Sequence, residues 1–210
     1  MLVSLLPTFI HTEWVRNLST SILAFDISQF FPSLNHHLLL CILRKASFDF
    51  KVVHFLLNYL VSRKTWYFWN NFSSPLFNID VGVRQGSALS PILSVLYLAL
   101  ILYILEKHLK SLKISISMLS FIDNGLFCAQ SKFFSFFNSL LFCSYNIVSI
   151  LLRKFGLTVE HFKTEVFYFS RLHRSFNPPP LNFSTLGGPI LYLKEVWKYL
   201  GFVFDRKLFF

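Results

Sequence analysis

Residues 114–130 read ISISMLSFIDNGLFCAQ. Apolar, β-branched runs flank Asn124-Gly125, and Asn-Gly in that setting is a strong short-range signal for a two-residue hairpin turn. The reading predicts a β-hairpin over 114–130 with Asp123 at its tip and Asn124-Gly125 in a type I′ turn. An acid set among apolar strands must be paired, protonated or bound to a cation. A second acid, Asp26, stands in the same kind of place. It follows ILAF in the segment ILAFDIS, 22–28, which reads as a short buried strand. Two carboxylates on strand ends that lie side by side suit a divalent cation, which takes hard oxygen ligands. A salt bridge or a turn cap remains open for each acid taken alone.

Working outward, the remaining chain alternates helices and strands. SLNHHLLLCILRKAS, 33–47, reads as a helix with Ser33 as N-cap. KVVHFLLNYLVS, 51–62, is a second helix by its apolar spacing. KTWYFWNNF, 64–72, and LFNIDVGV, 76–83, read as strands joined by the turn SSP. Ser90-Pro91 supplies an N-cap and a first-turn proline for a long helix to about Leu109. After the hairpin, a helix runs from about 133 to 155 and stops at Gly156, with Arg153 and Lys154 in its last turn. LTVE and TEVFYFS read as strands, 173–189 as a Pro/Gly-rich loop, and YLGFVF, 199–204, as a final strand. Mixed helices and antiparallel strands argue an α+β fold.

Composition narrows the partners. The 210 residues carry a net charge of +10 with only 14% charged side chains, and 27 are Phe. That balance suits a polyanion, either nucleic acid or an acidic membrane face. Cys41, Cys128 and Cys143 are odd in number and far apart, so neither a disulfide framework nor a zinc site is expected, and a reducing compartment fits. Residues 85–105 and 133–152 lack charge over nearly a bilayer's thickness. The first opens with QGSALSP, the second carries Asn138, Asn146 and several serines, and both have basic flanks, so no membrane span is expected. MLVSLLPTFI has no basic leader region, which argues against a signal peptide. The expected location is intracellular, cytoplasmic or nuclear.

Five segments carry a resemblance. FDISQFFPSL, 25–34, resembles motif A of reverse transcriptases; GVRQGSALSPILS, 82–94, resembles motif B; and FIDN, 121–124, resembles motif C, normally F-x-D-D or Y-x-D-D. FGLTVEHFKTEVF, 155–167, is similar to motif D and WKYLGFVFDRKL, 197–208, to motif E. All five occur in the family's order, and the GLTVEHFKTE and YLGF forms are most similar to non-LTR, LINE-type retrotransposon enzymes. The resemblance implies a palm-like antiparallel sheet packed on helices over residues 25–210. It makes residues 1–24 a remnant of upstream fingers, with the fingers mostly missing and the thumb absent, as in a degenerate, truncated copy.

The same resemblance implies roles. Asp26 and Asp123 are the expected Mg²⁺ (or Mn²⁺) ligands. Phe31 matches the aromatic gate against a ribose 2′-hydroxyl. Gln85 and Gly86 match the pair at the incoming nucleotide and template, and Lys163 the motif D lysine that protonates the leaving pyrophosphate. Asn124 stands where the family has a second acid; it suits a turn but brings no charge. The expected partners are an RNA template, a DNA primer and deoxynucleoside triphosphates, for two-metal nucleotidyl transfer that is weak or inactive in this copy. Two further readings stay open: a non-catalytic nucleic-acid-binding relic, and a small membrane protein with an accidental match. For each lone residue a bland reading also stands: core packing for Phe31, a turn for Gln85-Gly86, a solvated charge for Lys163.

Overall fold

A computed structural model describes residues 2–61, 63–84, 86–112, 116–132, 134–169, 180–182, 190–192, 194 and 196–208. These fall into two units: residues 1–28, 105–151 and 158–210 form the first, and residues 29–104 with 152–157 the second. Helices and antiparallel strands are mixed throughout, so the fold is α+β.

The first unit is built on a five-stranded antiparallel sheet. Its central strand, β1 (Ser19–Ser28), is buried over most of its length, as its run of apolar residues requires. On one side β1 pairs with β7 (Asn124–Ser131), which pairs in turn with β6 (Ile116–Phe121). On the other side it pairs with β9 (Glu165–Phe169) and, at its C-terminal end, with β8 (Thr158–Val159). Helix α1 (Leu2–Val15) adds Leu6, Ile10 and Trp14 to a core that includes Ile22, Leu126, Cys128, Phe167 and Phe169. Trp197, Tyr199 and Phe204 complete that core from the hairpin β12 (Val196–Tyr199) and β13 (Phe202–Asp205). The expected single strand 199–204 is therefore two strands, because Leu200 and Gly201 both take positive φ (48° and 86°) and turn the chain.

The second unit holds α2 (Phe30–Ser33), α3 (His36–Lys45) and α4 (Phe50–Leu60). Ser33 does not cap α3. It ends the short α2, and Asn35 is the cap, its side chain accepting from the Leu38 amide at 3.0 Å. Asp49 caps α4 in the same way, accepting from the Lys51 amide at 2.7 Å. The two strands expected over 64–83 divide into two small ladders. β2 (Arg63–Thr65) pairs with β5 (Phe77–Ile79), and β3 (Phe68–Trp69) pairs with β4 (Phe72–Ser73) across the turn Asn70-Asn71. Asn70 takes φ 49°, the left-handed region asparagine tolerates.

Two long helices complete the elements, α5 (Ser90–Ser111) and α6 (Phe134–Lys154). α5 starts at Ser90 itself, so Ser90 is not its cap; its hydroxyl donates to Arg84 O at 2.6 Å. Both helices are long and apolar enough to cross a membrane by length and composition, and 39% of each apolar window is buried within the protein. α6 ends as expected, with Arg153 and Lys154 in its last turn and Gly156 at φ 74°. Most of the predicted loop 173–189 lies outside the described residues; β10 (Leu181–Asn182) falls within it and pairs with β11 (Ile190–Leu191), which follows it.

Candidate active site

The hairpin tip differs from its expected form. Phe121 pairs with Asn124, so the two turn residues are Ile122 and Asp123, and Asn124-Gly125 already belongs to β7. Ile122 carries the positive φ (55°) that the turn needs, a costly conformation for a β-branched residue. Gly125 serves a different need. It lies directly across from Phe25 on β1, and a Cβ at Gly125 would sit 2.2 Å from Phe25 Cζ. The glycine makes room for an aromatic ring that crosses the neighbouring strand.

This register fixes the acids. Asp26 on β1 faces Asn124 on β7, and the Ile27 amide donates to Asp123 O at 2.9 Å. Asp26 and Asp123 thus come from the same end of adjoining elements. On the opposite side of β1, the Glu160 amide donates to Asp26 O at 2.8 Å. A 3-10 turn follows (His161–Lys163) and delivers Lys163, whose Nζ donates to Asp26 Oδ2 at 2.8 Å. That turn is seated by Tyr145 of α6, whose hydroxyl bonds His161 Nδ1 (2.7 Å) and Thr164 Oγ1 (3.0 Å). Tyr145 packs edge-on against Phe25, so the ring over Gly125 and the seat beneath Lys163 share one contact.

The electrostatics follow. Asp26 raises the pKa of the Lys163 ammonium, first through the hydrogen bond and then through charge, with smaller help from Glu160 and Asp123. The Asp26 side chain is 18% exposed and that of Lys163 66%. Asp26 Oδ1 is buried and has no hydrogen-bond partner among the described residues. Asn124 Nδ2 donates to Asp123 Oδ1 at 2.9 Å, so the amide occupies one oxygen of the neighbouring acid. Among the described residues no group of three His, Cys, Asp or Glu side chains converges as a metal cage. Two carboxylates with an orphaned oxygen do match the sparse protein ligation that Mg²⁺ accepts when phosphates and water complete its shell.

The other expected residues belong to the second unit. The Phe31 ring lies 5.6 Å from that of Phe30, and Phe31 O accepts from the Val83 amide at 2.8 Å. Gly86 takes φ 84° with open space around its Cβ position, so conformation rather than room requires glycine there. Gln85 lies outside the described residues. Sequence reading missed Glu160, Tyr145 and the Phe25–Gly125 approach. The first two contact the site through backbone and second-layer hydrogen bonds that leave no spacing pattern. Gly125 reads as a turn residue in the Asn-Gly pair, whereas its place is within β7.

No curated protein matches the chain. Among solved structures, telomerase from Candida tropicalis matches in three forms. The complex with a TWJ fragment of telomeric RNA is 16% identical at TM-score 0.64, covering 84% of this chain and 30% of that one. The apo form is 14% identical at TM-score 0.67, covering 98% and 35%. An apo form truncated from its C-terminal domain is 14% identical at TM-score 0.55, covering 94% and 37%. This chain spans about a third of the length of the telomerases it matches. At these identities the likeness is one of fold. The family described as reverse transcriptase (RNA-dependent DNA polymerase) matches residues 4–204, nearly the whole chain, and the chain belongs to it.

Proposed function

We propose that this reverse transcriptase domain is of the non-LTR, LINE-like kind and extends a DNA primer on an RNA template with deoxynucleoside triphosphates. The observation that carries the reading is the register of β1 on β7. It brings Asp26 and Asp123 to one end of the sheet, with Asp26 Oδ1 buried and unpartnered among the described residues. Asp26 and Asp123 would hold Mg²⁺ or Mn²⁺. Bound there, the cation supplies charge neutralisation at the triphosphate and lowers the pKa of the primer hydroxyl. Lys163 guards Asp26 until substrate arrives, then leaves it to protonate the departing pyrophosphate. Phe31 gates the sugar, and Gln85 and Gly86 meet the incoming nucleotide and template. Residues 1–24 would be the remnant of the upstream fingers and residues 25–210 the palm, although β1 of the sheet already begins at Ser19.

Asn124 sets the level of activity. It keeps the register with Phe121 and Asp26 but removes one negative charge from the cation's surroundings. The test compares the native chain with Asn124→Asp. The variant should bind Mg²⁺ or Mn²⁺ about ten-fold more tightly, the effect of one added charge contributing about 1.4 kcal/mol in a partly dry site. It should also extend an RNA-templated primer faster. Asp123→Ala is the dead control. Equal metal affinity and equal extension in the two proteins would show that the second acid is not what limits this chain.

A further inference from the structure

Two side chains of the turn that carries Lys163 face solvent. Phe162 is 78% exposed and the Lys163 side chain 66%, so neither packs the turn onto the protein. The two inward residues are half-buried His161 and buried Thr164. Both bond to one atom, the hydroxyl of Tyr145 on α6, at 2.7 and 3.0 Å. Tyr145 is fully buried, and its ring packs edge-on against Phe25 of β1 and lies against His161. A buried hydroxyl that meets two polar partners on one turn fixes that turn more firmly than packing alone.

The protons run one way through this contact. Thr164 Oγ1 donates to Glu160 O at 3.4 Å, so it accepts from the Tyr145 hydroxyl, which accepts in turn from His161 Nδ1. Burial raises the Tyr145 hydroxyl above its ordinary 10.0, with help from the charge of Glu160, so it keeps the proton that it donates. Glu160 O, where the run ends, also accepts from the Lys163 amide at 3.1 Å. The Glu160 amide donates to Asp26 O at 2.8 Å. One hydroxyl is thereby tied both to the backbone from which Lys163 projects and to the strand that carries Asp26.

We propose that Tyr145 is a positioning residue for Lys163: its hydroxyl fixes the turn from which the lysine reaches Asp26 and the leaving pyrophosphate. Reach to Asp26 is in the structure itself, whereas reach to the pyrophosphate rests on Lys163 acting as the proton donor. A lysine's stem is flexible, so its reach is set by where its backbone stands. Misplacing a reacting group by about 1 Å can cost about 100-fold in rate. The ring and the hydroxyl of Tyr145 have separate duties. The ring packs on Phe25, which lies over Gly125, while the hydroxyl holds the turn. Tyr145→Phe therefore keeps the contact toward the Asp123 hairpin and cuts the one toward Lys163.

Two measurements on the full chain test it, and the first needs no turnover. Trace acetylation of amines at a fixed, mildly alkaline pH, read by mass spectrometry, gives the labelling rate of Lys163 relative to the exposed Lys198. Asp26 holds the native Lys163 ammonium, so its labelling is slow. In Tyr145→Phe and in Thr164→Val it should rise about three-fold or more, as an amine that loses its opposite charge gains free base. Thr164→Ser, which keeps the hydroxyl, should label as the native chain does. Circular dichroism checks that each variant is folded. Unchanged labelling in both Tyr145→Phe and Thr164→Val overturns the proposal. The second measurement is single-turnover primer extension. Tyr145→Phe should slow it about ten-fold at saturating nucleotide and leave the half-saturating concentration unchanged. Tyr145→Phe combined with Lys163→Gln should be no slower than Lys163→Gln alone, because both act on one proton transfer. Losses that add would make Tyr145 a general support of the site and overturn its role toward Lys163. Native-rate extension by Lys163→Gln, with labelling raised in Tyr145→Phe, would sink the proton-donor reading and leave the positioning of Lys163 standing.

Discussion

Two hairpins of the first unit close with two-residue turns and use glycine for opposite reasons. In β12–β13 the turn is Leu200-Gly201, both at positive φ, and the space around Gly201 is open. Glycine is there for its backbone. In β6–β7 the turn is Ile122-Asp123, and Gly125 stands beyond it, in the strand, under the ring of Phe25. Glycine is there for its missing side chain. Both hairpins contribute core residues, and both turns hold a large apolar residue in the left-handed region, Leu200 at φ 48° and Ile122 at φ 55°. Only the second turn also holds an acid, Asp123, beside a β-branched residue. Strain of this kind persists where surrounding structure over-determines it, and it gathers at functional sites.

The largest expected effect tests whether the two hairpins stand or fall together. Burial pushes the Cys128 thiol of β7 up to about 12 from an ordinary value of 9.0. Burial first, then Cys128 and Asp123, raises the Tyr199 hydroxyl of β12. Both groups favour their neutral forms in the folded state. Their stabilisation is complete below about pH 9 and is lost as pH rises towards 12 and beyond. For Cys128 the ceiling is about 4 kcal/mol, at about 1.4 kcal/mol per pH unit. Stability measured by urea unfolding should therefore fall steeply above pH 9, and less steeply in Cys128→Ala. Equal slopes would remove the thiol from the account.

Next come the glycines. Gly125→Ala should cost about 3 kcal/mol, because Phe25 is buried against Phe127 and Tyr145 and its ring has nowhere to go. Gly201→Ala should cost about 1 kcal/mol, the penalty of a side chain at positive φ with open space around it. Urea unfolding of the pair decides the matter, and equal losses would erase the distinction between the hairpins. Ile122→Asn should do the reverse and stabilise by about 1 kcal/mol, since asparagine tolerates the left-handed region. A lower midpoint for that variant would mean that packing of the Ile122 side chain outweighs its strain.

The same comparison explains what the sequence made legible. The strands at 22–28 and 114–130 were readable because apolar runs broke at Gly, Asn and Asp, and both acids stand where that reading put them, at a strand end and a hairpin tip. The turn was misplaced by two residues. Asn-Gly is the better turn former, but β1 needed Gly125 opposite Phe25, and tertiary packing overrode local preference. Ser33 lost its cap to Asn35 because α2 intervenes, a one-turn helix too short for periodicity to reveal. Family membership was legible from five short motifs, while the support beneath them was not. Tyr145 reaches the Lys163 turn across 16 residues to His161 and 19 to Thr164, and such pairings carry no local signature.

The smallest effect on stability, and the sharpest on function, is expected at Lys163. Its side chain is two-thirds exposed, so the ion pair with Asp26 is screened by water and holds little of the fold. Because Asp26 raises the lysine pKa, what stabilisation the pair gives is complete below the ordinary value of 10.5 and is lost as pH rises through the raised one. The ammonium therefore keeps its charge at pH values well below 10.5, and at neutral pH Lys163→Gln should leave the unfolding midpoint unchanged within error. The same substitution releases Asp26 Oδ2, which now accepts from the ammonium, and removes a positive charge from beside both acids. Divalent-cation affinity should then rise several-fold, by the loss of like-charge repulsion. Primer extension should nevertheless slow, since the proposed proton donor is gone. Isothermal titration with Mn²⁺ and single-turnover extension, run on one preparation, separate the two effects. If Lys163→Gln binds Mn²⁺ no more tightly, the lysine does not compete for Asp26. If it also extends primers at the native rate, then Lys163 is a solvated charge that happens to lie against an acid, and the strained hairpin opposite it carries the site alone.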